Sequence, residues 1–296
     1  MKTRLVAASV ASFALCLLLA GQGTSRGDVL YASSIAGYID KIDSSGVGTF
    51  FASSGLHYPT GLAFDSAGYL YAASANGNDI MKFDSSGAGT IFASPGFGDT
   101  ALAFDSAGSL YAANHNANII TKYNSSGVGL TFNSTDLNDP MGLAVDSAGN
   151  VYAANRANNT IEKFNSSGVG TVFASTGLNR PAGLAFDAHG NLYAANQGNG
   201  TVVKFNSSGV PTAFASGMFI PDEMAFDSAG NLYAADEGTG HIFKFNSSGV
   251  GGAFSSAASP AFGLAFQPVP EPSTWSLLAV GLAAMFGSRR SRRRLL

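Results

Sequence analysis

Between residues 28 and 267 the apolar positions come in short runs rather than on a helical period. The stretch Pro181–Phe205, "PAGLAFDAHGNLYAANQGNGTVVKF", shows the unit. Runs such as "GLAF", "NLYAA", "TVVKF" and, further on, "TAFAS" are four to six residues long. They are rich in aromatic, β-branched and small residues and are bounded by Asp, Asn, Ser and Gly, which predicts four strands per unit. "DAHGN" and "NSSGV" predict turns in which the polar side chain bonds the local backbone and Gly takes a positive φ.

The unit recurs. Tyr31, Tyr71, Tyr111, Tyr152, Tyr193 and Tyr233 are spaced 40, 40, 41, 41 and 40 residues apart, and a lysine travels with each, from Lys41 to Lys244. Four strands in every ~40 residues, repeated six times, predict an all-β fold, a six-bladed β-propeller of four-stranded blades. The first unit lacks its "GLAF" strand and the chain carries a spare one at Gly263–Phe266. That strand is expected to pair beside Val29–Ser33 and close the ring, which leaves no open edge at the termini. One domain, residues 28–267, follows.

Both ends read as addresses. Residues 1–27 have the pattern of a secretory signal peptide: Lys2 and Arg4, an apolar run from Leu5 to Ala20, then small residues. Cys16 is the only cysteine and leaves with that segment, so no thiol chemistry is expected in the mature protein. Residues 268–272 form a Pro-rich linker ending in Pro270, Glu271 and Pro272, and residues 273–296 follow as a span and tail. The apolar part, Ser273 to Gly287, predicts a short transmembrane helix of about 22 Å at ~1.5 Å per residue. Arg289, Arg290, Arg292, Arg293 and Arg294 orient that end to the cytoplasm. With the ends set aside, residues 28–267 hold eight Lys or Arg against eighteen Asp or Glu, so an overall charge of −3 hides a body near −10. No basic face is available for a phosphate backbone, and nucleic acid is excluded as a partner.

The repeat "PxGLAFDxxGNLYAANxxNxTIxKF" resembles that of the NHL-repeat propellers over essentially all of the body. The same fold family includes gluconolactonase/regucalcin-like lactonases and streptogramin lyases, and a fold shared so widely does not assign an activity. "VPEPSTW", the short span and the arginines together resemble the PEP-CTERM sorting signal of Gram-negative, exopolysaccharide-producing bacteria. That resemblance implies recognition by an exosortase, transient inner-membrane anchoring, cleavage near Pro270–Pro272, and delivery to the cell surface or extracellular matrix.

Antiparallel strands place the start of strand one, the end of strand two and the links between blades on one face. The loops there differ most among the internal copies: "SANGND", "NHNANI", "NRANNT", "NQGNGT" and "DEGTGH". Ligand binding is therefore expected on that face. Strand two ends there on a polar ring, Ser34, Ser74, Asn114, Asn155, Asn196 and Asp236. Its members either cap local backbone or present acceptors, Asn114, Asn155, Asn196 and Asp236 foremost, to a ligand.

Lactonase-like relatives hold a divalent metal partly through the residue after the proline that opens strand one. Here those positions are Thr60, Thr100, Met141, Ala182, Asp222 and Phe262, and Met, Ala and Phe cannot ligate a hard cation. What remains is a local quartet, Asp222, Glu223, Asp236 and Glu237, suited to Ca²⁺ or to a solvated acidic rim. No other cofactor is expected.

Catalytic constellations are absent from the sequence. His57, His115, His189 and His241 fall in separate loops without HxH or HExxH spacing, and no serine elbow accompanies them. His241 beside Glu237 is the nearest approach to the histidine with acidic partners on which streptogramin lyases depend. The expectation is a monomeric, non-enzymatic module for an extracellular polysaccharide or surface protein. The alternative is a divergent metal-dependent lactonase or lyase built on the Asp222 region.

Overall fold

The computed structural model describes residues 28–96, 98–256 and 261–268. The expected signal peptide, the PEP motif and the span with its arginine tail lie outside the described residues. The 24 strands of the described residues fall within the compact unit Asp28–Pro268 and form six four-stranded sheets. The described residues contain no helix. The chain is a six-bladed all-β propeller.

Blade two runs Pro59–Phe64, Leu70–Ser74, Asp79–Phe83 and Gly89–Ala93, each strand antiparallel to the next. Blades three to six repeat this from Asp99, Pro140, Pro181 and Pro221. Blade one is assembled from both ends of the unit. Ala261–Phe266 takes the first place beside Leu30–Ser34, Tyr38–Ile42 and Gly48–Ala52. The register Leu30↔Phe266, Tyr31↔Ala265, Ala32↔Leu264 is the closure expected from the repeat count. Three further hydrogen bonds tie distant segments: Gly263 N to Ser33 Oγ (2.8 Å), and Ser228 N and Oγ to Asp28 Oδ2 (2.7 and 2.6 Å).

The second strand of each blade is buried along its whole length, which is why "LYAA" shows no alternation: neighbouring blades cover both faces. Between blades the tyrosine of that strand is the keystone. Tyr152 meets Phe173 of its own blade and Phe186 of the next, both edge-on at 5.1 Å. Phe173 in turn reaches Phe205 at 6.2 Å. The same contacts return around Tyr31, Tyr71, Tyr193 and Tyr233. At Tyr111 the next blade offers Val145, and Phe132 at 5.0 Å carries the contact alone. Each edge-on pair adds ~0.5–1.5 kcal/mol beyond its burial.

On the face of the "DSAGN" turns the tyrosine hydroxyl anchors the turn itself. Tyr152 donates to Asp146 Oδ2 (3.2 Å), Asp146 Oδ1 accepts from Ala148 N and Asn150 N (3.0 and 2.8 Å), and Lys163 Nζ lies 3.7 Å from Oδ2. This Tyr–Asp–Lys arrangement explains the spacing of both landmark residues. Blade one departs from it. Gln267 stands where the other blades have aspartate, and Lys41 lies over the Phe51 ring at 4.5 Å.

On the other face the first strands converge. Their third residues are Gly61, Ala101, Gly142, Gly183, Glu223 and Gly263. A Cβ on Gly142, Gly183 or Gly263 would strike the carbonyl oxygen of Ala182, Asp222 or Thr60 on the neighbouring first strand. The close packing of the inner strands therefore selects small residues there.

Leu264, 3 % exposed in the closing strand, sits in the same kind of core as Leu143, also 3 % exposed. Leu264→Ala and Leu143→Ala are each expected to lower the unfolding free energy by about 2–5 kcal/mol in denaturant titration. A loss below about 0.5 kcal/mol at Leu264 would mean that closure contributes nothing to the fold.

Candidate functional site

A cavity of 540 Å³ opens on the face where the first strands begin. One tier of its wall is the opening of the first strands: Thr60, Met141, Asp222 and Phe262, the positions that follow or replace the opening proline. The other tier is the residue just past strand two in successive blades: Ala75, His115, Arg156, Gln197 and Glu237. Tyr58, Asn76 and Asn116 complete the mouth.

The polar ring that ends strand two lies one residue away from this lining, and its side chains are engaged with backbone. Asn155 Oδ1 accepts from Asn138 N (3.0 Å), while its Nδ2 donates to Asp136 O (3.0 Å) and Thr160 Oγ1 (3.1 Å). Asn196 repeats this with Asn179 N and Gly177 O, both at 3.0 Å. Asn114 accepts from Ala117 N (2.9 Å), Ser34 from Ala36 N (3.1 Å) and Ser74 from His57 N (2.7 Å). Asp236 accepts from Phe219 N, Ile220 N and Gly238 N at 2.7, 2.8 and 3.1 Å and is fully buried. From Ser74 onward most of these bonds pin the link arriving from the preceding blade. Side chains alternate along an extended chain, so the next residue turns to the cavity.

That lining tier escapes a search for recurring polar residues because it does not recur. Its signal is the opposite one: Ile35, Ala75, His115, Arg156, Gln197 and Glu237 are six different residues at one position of the repeat.

Of the acidic quartet, Asp222, Glu223 and Glu237 line the cavity, and Asp236 lies in the blade. Among the described residues no three His, Cys, Asp or Glu side chains converge at metal-binding spacing. Asp222 and Glu223 are neighbours in sequence and reach the same cavity because the pairing with strand two slips between Pro221 and Met224. Such a bulge re-aims side chains that a regular strand would send to opposite faces.

The electrostatics are unusual. Asp222 is 6 % exposed, and among the described residues no hydrogen bond or ion pair reaches its carboxyl. Burial, then the charge of Glu237, push it from 3.8 to about 7, against the pull of Arg156. Burial and Asp222 hold Glu223 well above the usual carboxylate range. Glu237 is raised by burial, with Arg156 opposing and Asp236 adding. Arg156 itself is forked onto Asp139, Nε to Oδ2 at 2.6 Å and Nη2 to Oδ1 at 3.1 Å.

Two further features shape the mouth. Tyr58, Asp139 and Arg180 have φ of 58°, 58° and 51°, each just before a proline that opens a first strand. Left-handed backbone at such residues costs ~1–3 kcal/mol and tends to gather at functional sites. The Tyr58 and Phe262 rings stand 5.4 Å apart and form an apolar wall. His115 lines the cavity with Nδ1 2.9 Å from Gly98 O. His241 opens the third strand of blade six, packed against Phe243. Chemically the site offers carboxyls held near their protonated form, amides at the mouth, an aromatic wall and a clamped guanidinium.

Residues 268–293 match the family described as the PEP-CTERM protein-sorting motif. No curated protein matches the chain. A chain of the nidogen/laminin complex is similar in structure, with a TM-score of 0.76 at 20% identity over 83% of this chain and 100% of that one. A gluconolactonase from Xanthomonas campestris gives 0.64 at 17% identity, covering 80% and 88%. A catalytically inactive virginiamycin B lyase from Staphylococcus aureus with quinupristin gives 0.61 at 16% identity, covering 82% and 94%. At these identities the likeness is one of fold.

The raised carboxyls set a pH dependence. Between 3.8 and about 7 the folded chain keeps an Asp222 proton that the unfolded chain has lost. Stability from this group is thus full below that window and falls as pH rises through it, by roughly 4 kcal/mol. Asp222→Asn is expected to raise Tm at pH 8 by about 8 °C or more and to leave Tm near pH 4 almost unchanged. An equal shift at both pH values, read by thermal melts, would mean that ionisation of Asp222 is not what costs stability.

Proposed function

We propose that this chain is exported, sorted by an exosortase through residues 268–293, and acts at the cell surface or in the extracellular matrix as a non-catalytic binding module. In this reading residues 1–27 are removed on export from a Gram-negative cell, and the span anchors the propeller in the inner membrane until cleavage near Pro270–Pro272. The working part is then the monomeric domain 28–267. One observation carries the binding role: the cavity is lined by the positions at which the repeats differ, while the rest of each repeat is held constant by packing. Amides at the mouth and an aromatic wall suit the hydroxyls and C–H faces of an extracellular polysaccharide better than an apolar small molecule.

A second reading rests on Asp222. A buried carboxyl near neutrality beside Glu223, Glu237 and Arg156 is fit to move a proton. That is the feature a divergent lactonase or lyase would use.

Both readings meet one experiment. The purified full chain is expected to sediment with extracellular polysaccharide, and Asn116→Trp and Gln197→Trp, at the mouth, are expected to weaken that by about tenfold or more. Trp at Val210, exposed on the opposite face, should change nothing. Sedimentation indifferent to the mouth substitutions would overturn the binding site. Turnover of a lactone substrate, lost in Asp222→Asn, would overturn the non-catalytic role.

A further inference from the structure

Three acidic residues of blade six meet in one cavity. Glu223 stands where the other five blades have Gly or Ala, at the position kept small by the convergence of inner strands. Asp222 stands where the other blades have Thr, Met, Ala or Phe, and Glu237 stands at the position that differs in every blade. The result is three carboxyls lining one cavity, with the Arg156 guanidinium in the same lining already forked onto Asp139. Asp222 is nine-tenths buried, points into the cavity, and takes no hydrogen bond from the described residues.

We infer that the cavity is built for the ammonium group of an amino sugar, seated against Asp222, with Glu223 and Glu237 adding negative charge along the same wall. This inference rests on the carbohydrate-binding reading and names the sugar class.

The geometry favours an organic cation over a metal. A hard divalent ion draws six to eight oxygens to ~2.3–2.6 Å of one point, whereas these carboxyls are spread along a wall of a 540 Å³ cavity. An ammonium needs no such shell: one carboxylate within hydrogen-bond reach holds it, and its remaining N–H groups can go to neutral acceptors or water. The Tyr58–Phe262 wall then receives the apolar face of the pyranose, and Asn76, Asn116 and Gln197 meet its hydroxyls. A lysine side chain would bring the same charge but would leave those amides unpaired.

Charge balance makes the inference measurable. The groups that face Asp222 are Glu223 on its own strand, Glu237 and Arg156 past second strands, and Tyr58 and His115 at the mouth. Empty, the cavity keeps Asp222 protonated below about 7. An ammonium beside it stabilises the carboxylate, so binding near pH 6 releases a proton to solvent.

The test is calorimetric titration of the purified full chain near pH 6 with a trisaccharide of β-1,4-linked glucosamine and with its fully N-acetylated form. The amino form is expected to bind about tenfold or more tightly. Paired titrations in two buffers of different ionisation enthalpy should show about one proton released per complex. Asp222→Asn should abolish both the release and the preference. If that variant fails to fold, Glu223→Gln is expected to reduce the preference instead. Equal binding of the two sugars overturns the amine assignment and leaves the carbohydrate reading intact. Preference undiminished in Asp222→Asn, or tighter binding of trilysine than of the amino sugar, also overturns it. Binding of neither sugar overturns the inference, and the polymer sedimentation assay then shows separately whether the carbohydrate reading stands.

Discussion

No blade of this propeller can bury its own sheet. The second strand is covered on both faces because neighbouring blades pack on it, its tyrosine reaching the next blade as Tyr152 reaches Phe186 and Tyr193 reaches Phe226. Stability is therefore a property of neighbouring pairs, and a chain of such pairs leaves two raw edges unless it closes. Closure by Ala261–Phe266 beside Leu30–Ser34 follows from that need. It also fixes much of the sequence. The tyrosine, its aspartate and its lysine, the inner glycines and the Asx turns are each required in nearly every blade for packing or backbone reasons.

What is left free is narrow: the residue after strand two, the opening of strand one and the links between blades. These positions share one face because strands run alternately up and down, and on that face they surround the cavity. The polar ring of Asn155, Asn196 and Asp236 is the hinge between the two regimes. Its members fasten each incoming link to the blade, and the variable residue follows immediately. Blade six uses its freedom most, placing Asp222, Glu223 and Glu237 in the cavity, and the raised proton affinity of those carboxyls is the electrostatic cost.

The fold was legible from the sequence because it is written six times: period, strand count and closing strand all follow from spacing. The site was legible only in part. Asp222, Glu223 and Glu237 stood out as part of a local acidic cluster, and the structure brings them to one cavity. Asp236 stood out equally and is buried on backbone donors, because one residue of pleat separates it from Glu237. Tyr58 and Phe262 are 204 positions apart in numbering and meet only after the ring closes. His115 and Arg156 carried no motif, and only their place in the repeat marks them.

The central claim is that function resides on the face that the repeat leaves variable. Amide hydrogen exchange of the full chain, with and without extracellular polysaccharide, tests it most directly. Protection confined to the loops bearing Ala75, His115, Arg156, Gln197 and Glu237 is the predicted result. Protection at the turns bearing Asp146, Asp187 or Asn206, on the opposite face, would contradict it.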